Sequence, residues 1–119
     1  MEITEQDARR IAEEWIDAWN RHDLEAILDH YADDIVSVSP LAIERLGVPD
    51  GAVRGKEQLR DYFSRGIAPG STLKFELQRV LLGAGGMAIY YTRENGRHCV
   101  DVMTLNEAGK VRTATVLYG

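Results

Sequence analysis

The stretch from Glu13 to Pro40, EEWIDAWNRHDLEAILDHYADDIVSVSP, constrains the fold of this chain more than any other. Ahead of it, Thr4 and the acidic Asp7 predict the start of a helix. Apolar residues then recur at the spacing of one buried helix face. They are Ala8, Ile11, Ala12, Trp15, Ile16 and Trp19. Asp23 predicts the cap of a second helix, and the short link between the helices implies a hairpin.

The second helix is predicted to be short and to lead into a strand. Its apolar stripe is formed by Leu24, Ile27, Leu28 and Tyr31. The acidic stretch 32–34 predicts a turn, and the alternating residues Ile35 to Ser39 predict a strand that Pro40 ends or places at a sheet edge. The apolar segment 41–54, which contains two glycines and a proline, is interpreted as a loop that covers a pocket mouth or extends an interface.

The second half of the chain has the pattern of an antiparallel meander. A third helix is predicted over Lys56 to Arg65, with Gly66 in place to end it. Glycine-bearing turns then separate four predicted strands. These are 73–82, 87–93, 97–105 and 111–118. Helices followed by an antiparallel sheet predict an α+β fold with three N-terminal helices on one sheet face, and the length of 119 residues suits a single domain over residues 1–119.

Composition excludes several classes of function. A net charge of −5 without a basic patch argues against a nucleic-acid surface. No apolar run is long enough to cross a bilayer, and the polar N-terminus lacks the pattern of a signal peptide, so we expect a cytoplasmic protein without a membrane partner. The single Cys99 excludes an internal disulfide and a thiolate zinc site.

No cofactor is expected from the sequence. His98 is predicted on the strand face opposite Asp101, His30 is interpreted as a cation at a helix end and His22 as a solvated side chain, so the three histidines do not converge on a metal site. The glycine run 83–86 precedes a strand, whereas a dinucleotide-binding loop precedes a helix, and it is therefore interpreted as a hairpin turn.

The order of the predicted elements resembles the SnoaL-like and nuclear transport factor two-like superfamily over essentially the whole chain. Within it, WIDAWNRHDLEAILDHYADDIVSVSP and DVMTLNEAGKVRTATVLYG resemble ketosteroid isomerase most. The resemblance implies a cone-shaped fold in which helices and a curved, mainly antiparallel sheet enclose an apolar pocket. It also implies a homodimer that forms through the outer face of the sheet.

Carried over by position, the isomerase site is only partly present. Its catalytic base, an Asp before a Pro, falls on Ser39, its oxyanion-hole Tyr falls on Trp15, and a supporting Tyr falls on Phe63. Its protonated Asp falls on Asp101, which is retained. In the isomerase, the apolar surroundings of this carboxyl keep it neutral. Ser39 is too weak an acid to replace the base unaided, so steroid isomerisation itself is not expected.

Asp101 is the candidate catalytic residue, with one structural alternative. The alternation of its strand does not decide which face is buried, but the resemblance implies that Asp101 faces inward with Cys99 and Met103, where desolvation would keep it protonated as a hydrogen-bond donor. Alternatively, it forms an ion pair with Arg79 or Arg112. The wall of the predicted pocket consists of eleven further residues, most of them apolar or aromatic. Its members are Trp15, Trp19, Tyr31, Ser39, Phe63, Phe75, Cys99, Met103, Ala114, Val116 and Tyr118.

Two functions follow from this sequence. The first is an enzyme of the SnoaL-like group that performs proton transfer, as an isomerase, cyclase or lyase, on a small apolar or ring-bearing molecule. The second is a module of the same fold that binds a ligand or dimerises without catalysis, which the loss of the base at Ser39 favours.

Overall fold

A computed structural model describes residues 2–119 of the chain. The helices are α1 (Glu5–Asn20), α2 (Leu24–Leu28), α3 (Pro40–Leu46) and α4 (Lys56–Gly66). The strands are β1 (Tyr31–Val38), β2 (Ala52–Arg54), β3 (Phe75–Gly83), β4 (Gly86–Arg93), β5 (His98–Leu105) and β6 (Val111–Tyr118). Within residues 2–119, no helix combines the length and the apolar character needed to span a membrane.

The six strands form one sheet in the order β2-β1-β6-β5-β4-β3. Strands β3 to β6 pair as antiparallel neighbours, which confirms the meander. Strand β1 joins the sheet parallel to β6, and β2 pairs antiparallel with β1. The helices and one face of this sheet share a single hydrophobic core. The α+β prediction is therefore confirmed, with a mainly antiparallel sheet.

The helix hairpin forms for the reasons that the sequence indicates. The Thr4 hydroxyl accepts a hydrogen bond from the Asp7 backbone N–H at 3.0 Å and caps α1. The Asp23 carboxylate accepts from the Ala26 N–H at 3.1 Å and caps α2. The whole apolar stripe of α1 is buried, and it carries the two tryptophans to the centre of the core.

The turn predicted at 32–34 is wrong, because these residues belong to β1. Tyr31, predicted on the second helix, begins that strand. Its partner on β6 is Val111, and the next pair is Val36 with Thr113, so five steps along β1 match two along β6. The excess residues form an irregular bulge with Asp33 and Asp34 exposed, which explains why a polar pair interrupts the strand pattern.

The loop predicted over 41–54 contains the helix α3 and the strand β2, so the chain has a fourth helix among its described residues. Pro40 is the first residue of α3 rather than the stop of a strand. Ser39 caps this helix by accepting a hydrogen bond from the Leu41 N–H at 3.2 Å. A Ser-Pro pair is a helix start as well as a strand end, because proline fits the first helical turn.

Candidate functional site

A cavity lies between the buried face of the sheet and the helices α1, α3 and α4. The space open to the centres of water-sized molecules measures about 60 Å³, several times the roughly 10–15 Å³ that one water needs. Its lining combines aromatic rings with a few polar groups. The lining residues are Trp15, Trp19, Ser37, Ser39, Leu41, Arg45, Tyr62, Phe63, Gly66, Leu73, Phe75, Tyr91, Arg93, Asp101, Val116 and Tyr118.

Asp101 is the only carboxylate in this lining. It lies in the middle of β5 on the buried face, with 5% of its surface exposed, and its register partners on the neighbouring strands are Ile89 and Val116. The Tyr91 hydroxyl donates a hydrogen bond to Asp101 Oδ1 at 2.7 Å. Asp101 therefore meets an apolar wall and a single phenol.

The ion pair considered for Asp101 does not form. Arg112 pairs instead with Asp34, with its Nε 3.5 Å from the carboxylate. Arg79 is exposed and pairs in register with Tyr90, which faces away from the core. The carboxyl of Asp101 is thus buried without a cationic partner among the described residues.

Burial raises the pKa of the Asp101 carboxyl to about 7, and the hydrogen bond from Tyr91 only partly opposes this rise. At neutral pH, protonated and ionised forms of the side chain therefore coexist. Such a group can donate a proton in one step and accept a proton in another. This property is what general acid and base catalysis requires at neutral pH.

The hydroxyls of Tyr62, Tyr118 and Ser39 form a polar part of the cavity wall. The Tyr62 hydroxyl donates to Ser39 Oγ at 3.3 Å, and the Tyr118 hydroxyl also interacts with Ser39. Burial raises the pKa of Tyr62, and it raises the pKa of Tyr118 to about 12. Ser39 itself is 2% exposed and already serves as the cap of α3. These groups stay neutral at pH 7 and can orient a ligand by hydrogen bonding.

The two tryptophans of α1 differ in their polar contacts. Trp15 Nε1 donates to the Tyr31 hydroxyl at 3.0 Å, so this indole is satisfied within the protein. Trp19 Nε1 is buried and has no acceptor among residues 2–119. The free indole donor at the cavity is therefore Trp19 and not Trp15, on which the isomerase-like oxyanion tyrosine falls.

The cavity brings together eight of the residues predicted for the site. They are Trp15, Trp19, Ser39, Phe63, Phe75, Asp101, Val116 and Tyr118. Four others, Tyr31, Cys99, Met103 and Ala114, are buried but do not line it. Met103 and Ala114 pair with each other one row further along the sheet than Asp101 and Val116, under the packed core.

Cys99 and Tyr31 do not line the cavity because of their immediate neighbours. Cys99 lies between Tyr91 and Tyr118 in register, and it is these two longer side chains that reach the cavity. Burial also raises the pKa of the Cys99 thiol to about 11, so it is not a reactive thiolate. The Tyr31 hydroxyl is engaged by Trp15.

Sequence reasoning did not place Tyr62, Tyr91, Arg45 or Arg93 in the site. The signal for Tyr91 and Arg93 is the alternation along β4, in which Met87, Ile89 and Tyr91 all face the core. No such signal marks Arg45, because it lies in α3, where the sequence pattern predicts a loop.

The histidines take no part in the cavity lining. His22 Nε2 hydrogen-bonds with the Leu73 carbonyl at 2.8 Å, so it is not solvated as predicted. Burial lowers the pKa of His30, which contradicts its interpretation as a helix-end cation. His98 Nδ1 contacts the Tyr90 hydroxyl at 2.6 Å on the outer face. Residues 2–119 contain no cluster of His, Cys, Asp or Glu arranged to hold a metal ion.

Comparisons with known proteins agree with this architecture. The model of the SnoaL-like domain family matches residues 12–114. A SnoaL-like protein of unknown function from Burkholderia thailandensis E264 is 38% identical, with 100% of this chain and 99% of that chain covered and a TM-score of 0.95. No curated protein matches the sequence.

More distant structures share the fold. The NTF-2 like protein of unknown function from Burkholderia xenovorans LB400 is 24% identical, with 97% and 84% of the two chains covered and a TM-score of 0.75. The epoxide hydrolase/cyclase-like enzyme SalBIII, associated with pyran ring formation in the polyether salinomycin, is 21% identical, with 97% and 92% covered and a TM-score of 0.77. From its sequence match and its structure, the chain belongs to the SnoaL-like domain family.

Proposed function

We propose that this protein is an enzyme that transfers a proton on a small apolar or ring-bearing molecule bound in the cavity, with Asp101 as the catalytic acid and base. The observation that carries the proposal is a buried carboxyl in the cavity wall whose pKa is raised to about 7. Perturbed carboxyls in cavities are characteristic of active sites.

In the proposed reaction, ionised Asp101 removes a proton from the substrate and the same carboxyl returns a proton at a second position. Tyr91 holds Oδ1 by its 2.7 Å hydrogen bond, which leaves Oδ2 for the transfer. The indole N–H of Trp19, which has no acceptor among residues 2–119, is the donor for a developing oxyanion. The hydroxyls of Tyr62 and Tyr118, which interact with Ser39, can turn toward the same oxygen. The substrate loses one proton and regains one, so its composition does not change.

An enzyme with this fold has a precedent in SalBIII, whose description as epoxide hydrolase/cyclase-like concerns ring formation. Its likeness to this chain concerns the fold. The buried carboxyl in the cavity favours isomerase, cyclase or lyase chemistry on ring-bearing substrates, because such reactions need a positioned acid or base and no cofactor.

The alternative is a binding module without catalysis. The observation in its favour is Ser39, which stands where the isomerase family has its base and which is engaged as a helix cap and as the acceptor of Tyr62. A cavity with a single titrating carboxyl can also hold a ligand by hydrogen bonding alone.

Deuterium incorporation distinguishes the two functions without knowledge of the product. Small ring-bearing molecules that bind, detected by ligand-observed NMR, would be incubated with the protein in D₂O and analysed by mass spectrometry. We expect at least one ligand to gain deuterium at carbon, because proton transfer through Asp101 exchanges its hydrogen with solvent. Binding of several ligands without any exchange or conversion would support the module instead.

We further propose that the protein forms a homodimer through the outer face of the sheet. Register places Val38, Thr115, Val102, Ala88 and Leu81 in one row across five strands on that face. Val38 is 37%, Val102 43% and Leu81 55% exposed. An exposed apolar row of this kind is typical of an association surface.

Replacement of Val102 by Glu places a charge in the middle of this row, and we expect the wild-type dimer to become a monomer in sedimentation velocity experiments. Gln6→Glu adds the same charge at an exposed position of α1 and should leave the dimer intact. A monomeric wild-type protein at micromolar concentration would contradict the proposed interface.

A further inference from the structure

Two arginines lie where the cavity meets the surface. Arg45, in the last turn of α3, and Arg93, at the end of β4, line both the cavity and the shallow depression beside it. Arg45 is exposed, whereas the side chain of Arg93 is only 16% exposed. Burial raises the pKa of Tyr62, and both cations partly oppose this rise, so they act on the same part of the cavity wall.

Arg45 differs from most arginines of the chain because no carboxylate within residues 2–119 forms an ion pair with it. Its neighbour on α4, Arg65, pairs with Asp61 at 3.0 Å, and Arg54 pairs with Asp50 at 3.2 Å. The Arg45 guanidinium lies against Gly66, where a side-chain Cβ would stand only 3.4 Å from Nη1.

Arg93 has a partner for only part of its guanidinium. Its Nη2 lies 3.3 Å from a carboxylate oxygen of Glu94, and its charge lies over the Phe75 ring, 5.7 Å from the ring centre. Its Nε is buried without an acceptor among the described residues. Because a buried donor without an acceptor is costly, this N–H marks a place where a ligand acceptor is favourable.

We infer that Arg45 and Arg93 bind the carboxylate of the substrate, so that the substrate is a small monocarboxylic acid with an apolar or ring-bearing body. Planar guanidinium groups match the geometry of a carboxylate. Glu94 balances one of the two arginine charges, which leaves about one positive charge for a monoanion rather than for a phosphate dianion. The apolar body then lies among Trp19, Phe63 and Phe75, toward Asp101.

This inference depends on the proposed function in one respect, since it takes the cavity as the substrate site. Benzoate and benzamide are suitable probes, because they share shape and differ in charge. Binding would be measured at pH 6 by titration with detection of the Trp19 indole N–H in ¹H–¹⁵N NMR spectra. We expect benzoate to bind roughly tenfold more tightly than benzamide, because only the carboxylate forms charge-assisted hydrogen bonds with the arginines.

Arg45→Gln and Arg93→Gln should each remove most of this preference and weaken benzamide binding much less than benzoate binding, because only benzoate carries a charge. Arg9→Gln is the matched control, since it removes one charge from an exposed pair on α1 with Glu13. Because Arg45 is exposed, its replacement tests the inference even if Arg93→Gln destabilises the fold. Equal affinity for the two probes, or no benzoate-dependent shift of the Trp19 signal, would overturn the inference.

The two proposals fail separately. Deuterium exchange on neutral ligands, without a preference for benzoate, would overturn the carboxylate site and leave the proton-transfer function in place. A benzoate preference that depends on Arg45, without exchange on any bound ligand, would retain the carboxylate site in a protein that only binds.

Discussion

Replacement of Asp101 by Asn is expected to reduce proton exchange and turnover of any substrate by roughly 10²–10⁴-fold, which is the usual contribution of a positioned acid or base. The amide has nearly the shape of the carboxyl and can still accept the Tyr91 hydrogen bond, but it neither takes nor gives a proton at neutral pH. The measurement is the rate of deuterium incorporation into a bound ligand, compared at equal protein and ligand saturation.

Tyr91→Phe is the informative control for this substitution. It removes the donor 2.7 Å from Asp101 Oδ1 but keeps the carboxyl, so the exchange rate should fall less than in Asp101→Asn, and the pKa of Asp101 should rise. Near-UV circular dichroism should be unchanged in both variants. Exchange that continues at the wild-type rate in Asp101→Asn would remove Asp101 from the catalytic role.

The second large effect concerns stability. The pKa of the carboxyl is close to its ordinary value of 3.8 in the unfolded chain and is about 7 in the folded protein. The stability contributed by the neutral form is complete below the unfolded pKa and is lost as pH rises through about 7. Because one pKa unit corresponds to 1.36 kcal/mol, the loss between pH 4 and pH 8 is on the order of 4 kcal/mol.

Urea unfolding of the wild type and of Asp101→Asn at a series of pH values would measure this loss. The difference between the two free energies of unfolding isolates Asp101, because every other titrating group is present in both proteins. The neighbouring phenols remain neutral over this range, since burial raises the pKa of Tyr62, Tyr91 and Tyr118. Curves that stay parallel from pH 4 to pH 8 would show that the carboxyl is not desolvated.

Local signals in the sequence predict much of the fold. The α1 stripe and its cap at Thr4 are local patterns, and so are the turns at Gly85, Gly96 and Gly109, whose positive φ angles suit glycine. The parallel pairing of β1 with β6 joins strands far apart in sequence, and no local pattern encodes it. The misassigned stretch 32–34 lies in the bulge between the two points at which β1 pairs with β6, so its assignment to a strand depends on that long-range pairing.

The site was less predictable than the fold because it depends on which groups meet across elements. Asp101 is placed inward by the resemblance, since the alternation of β5 is compatible with either face. Tyr91 reaches Asp101 because the two residues lie in neighbouring strands of the meander. Arg45 reaches the cavity because it lies in α3. The sequence does not predict that helix, because the pair Ser39-Pro40 is compatible with the end of a strand as well as with the start of a helix.

The side chain of Ser39 has two roles in the structure. It caps α3 through its hydroxyl, and it faces the cavity beside Tyr62. Aspartate caps helices as well as serine does. A single Ser39→Asp replacement would therefore add a second carboxylate to the cavity wall while the cap of α3 is retained, so the acid–base character of the cavity can change without a change of fold.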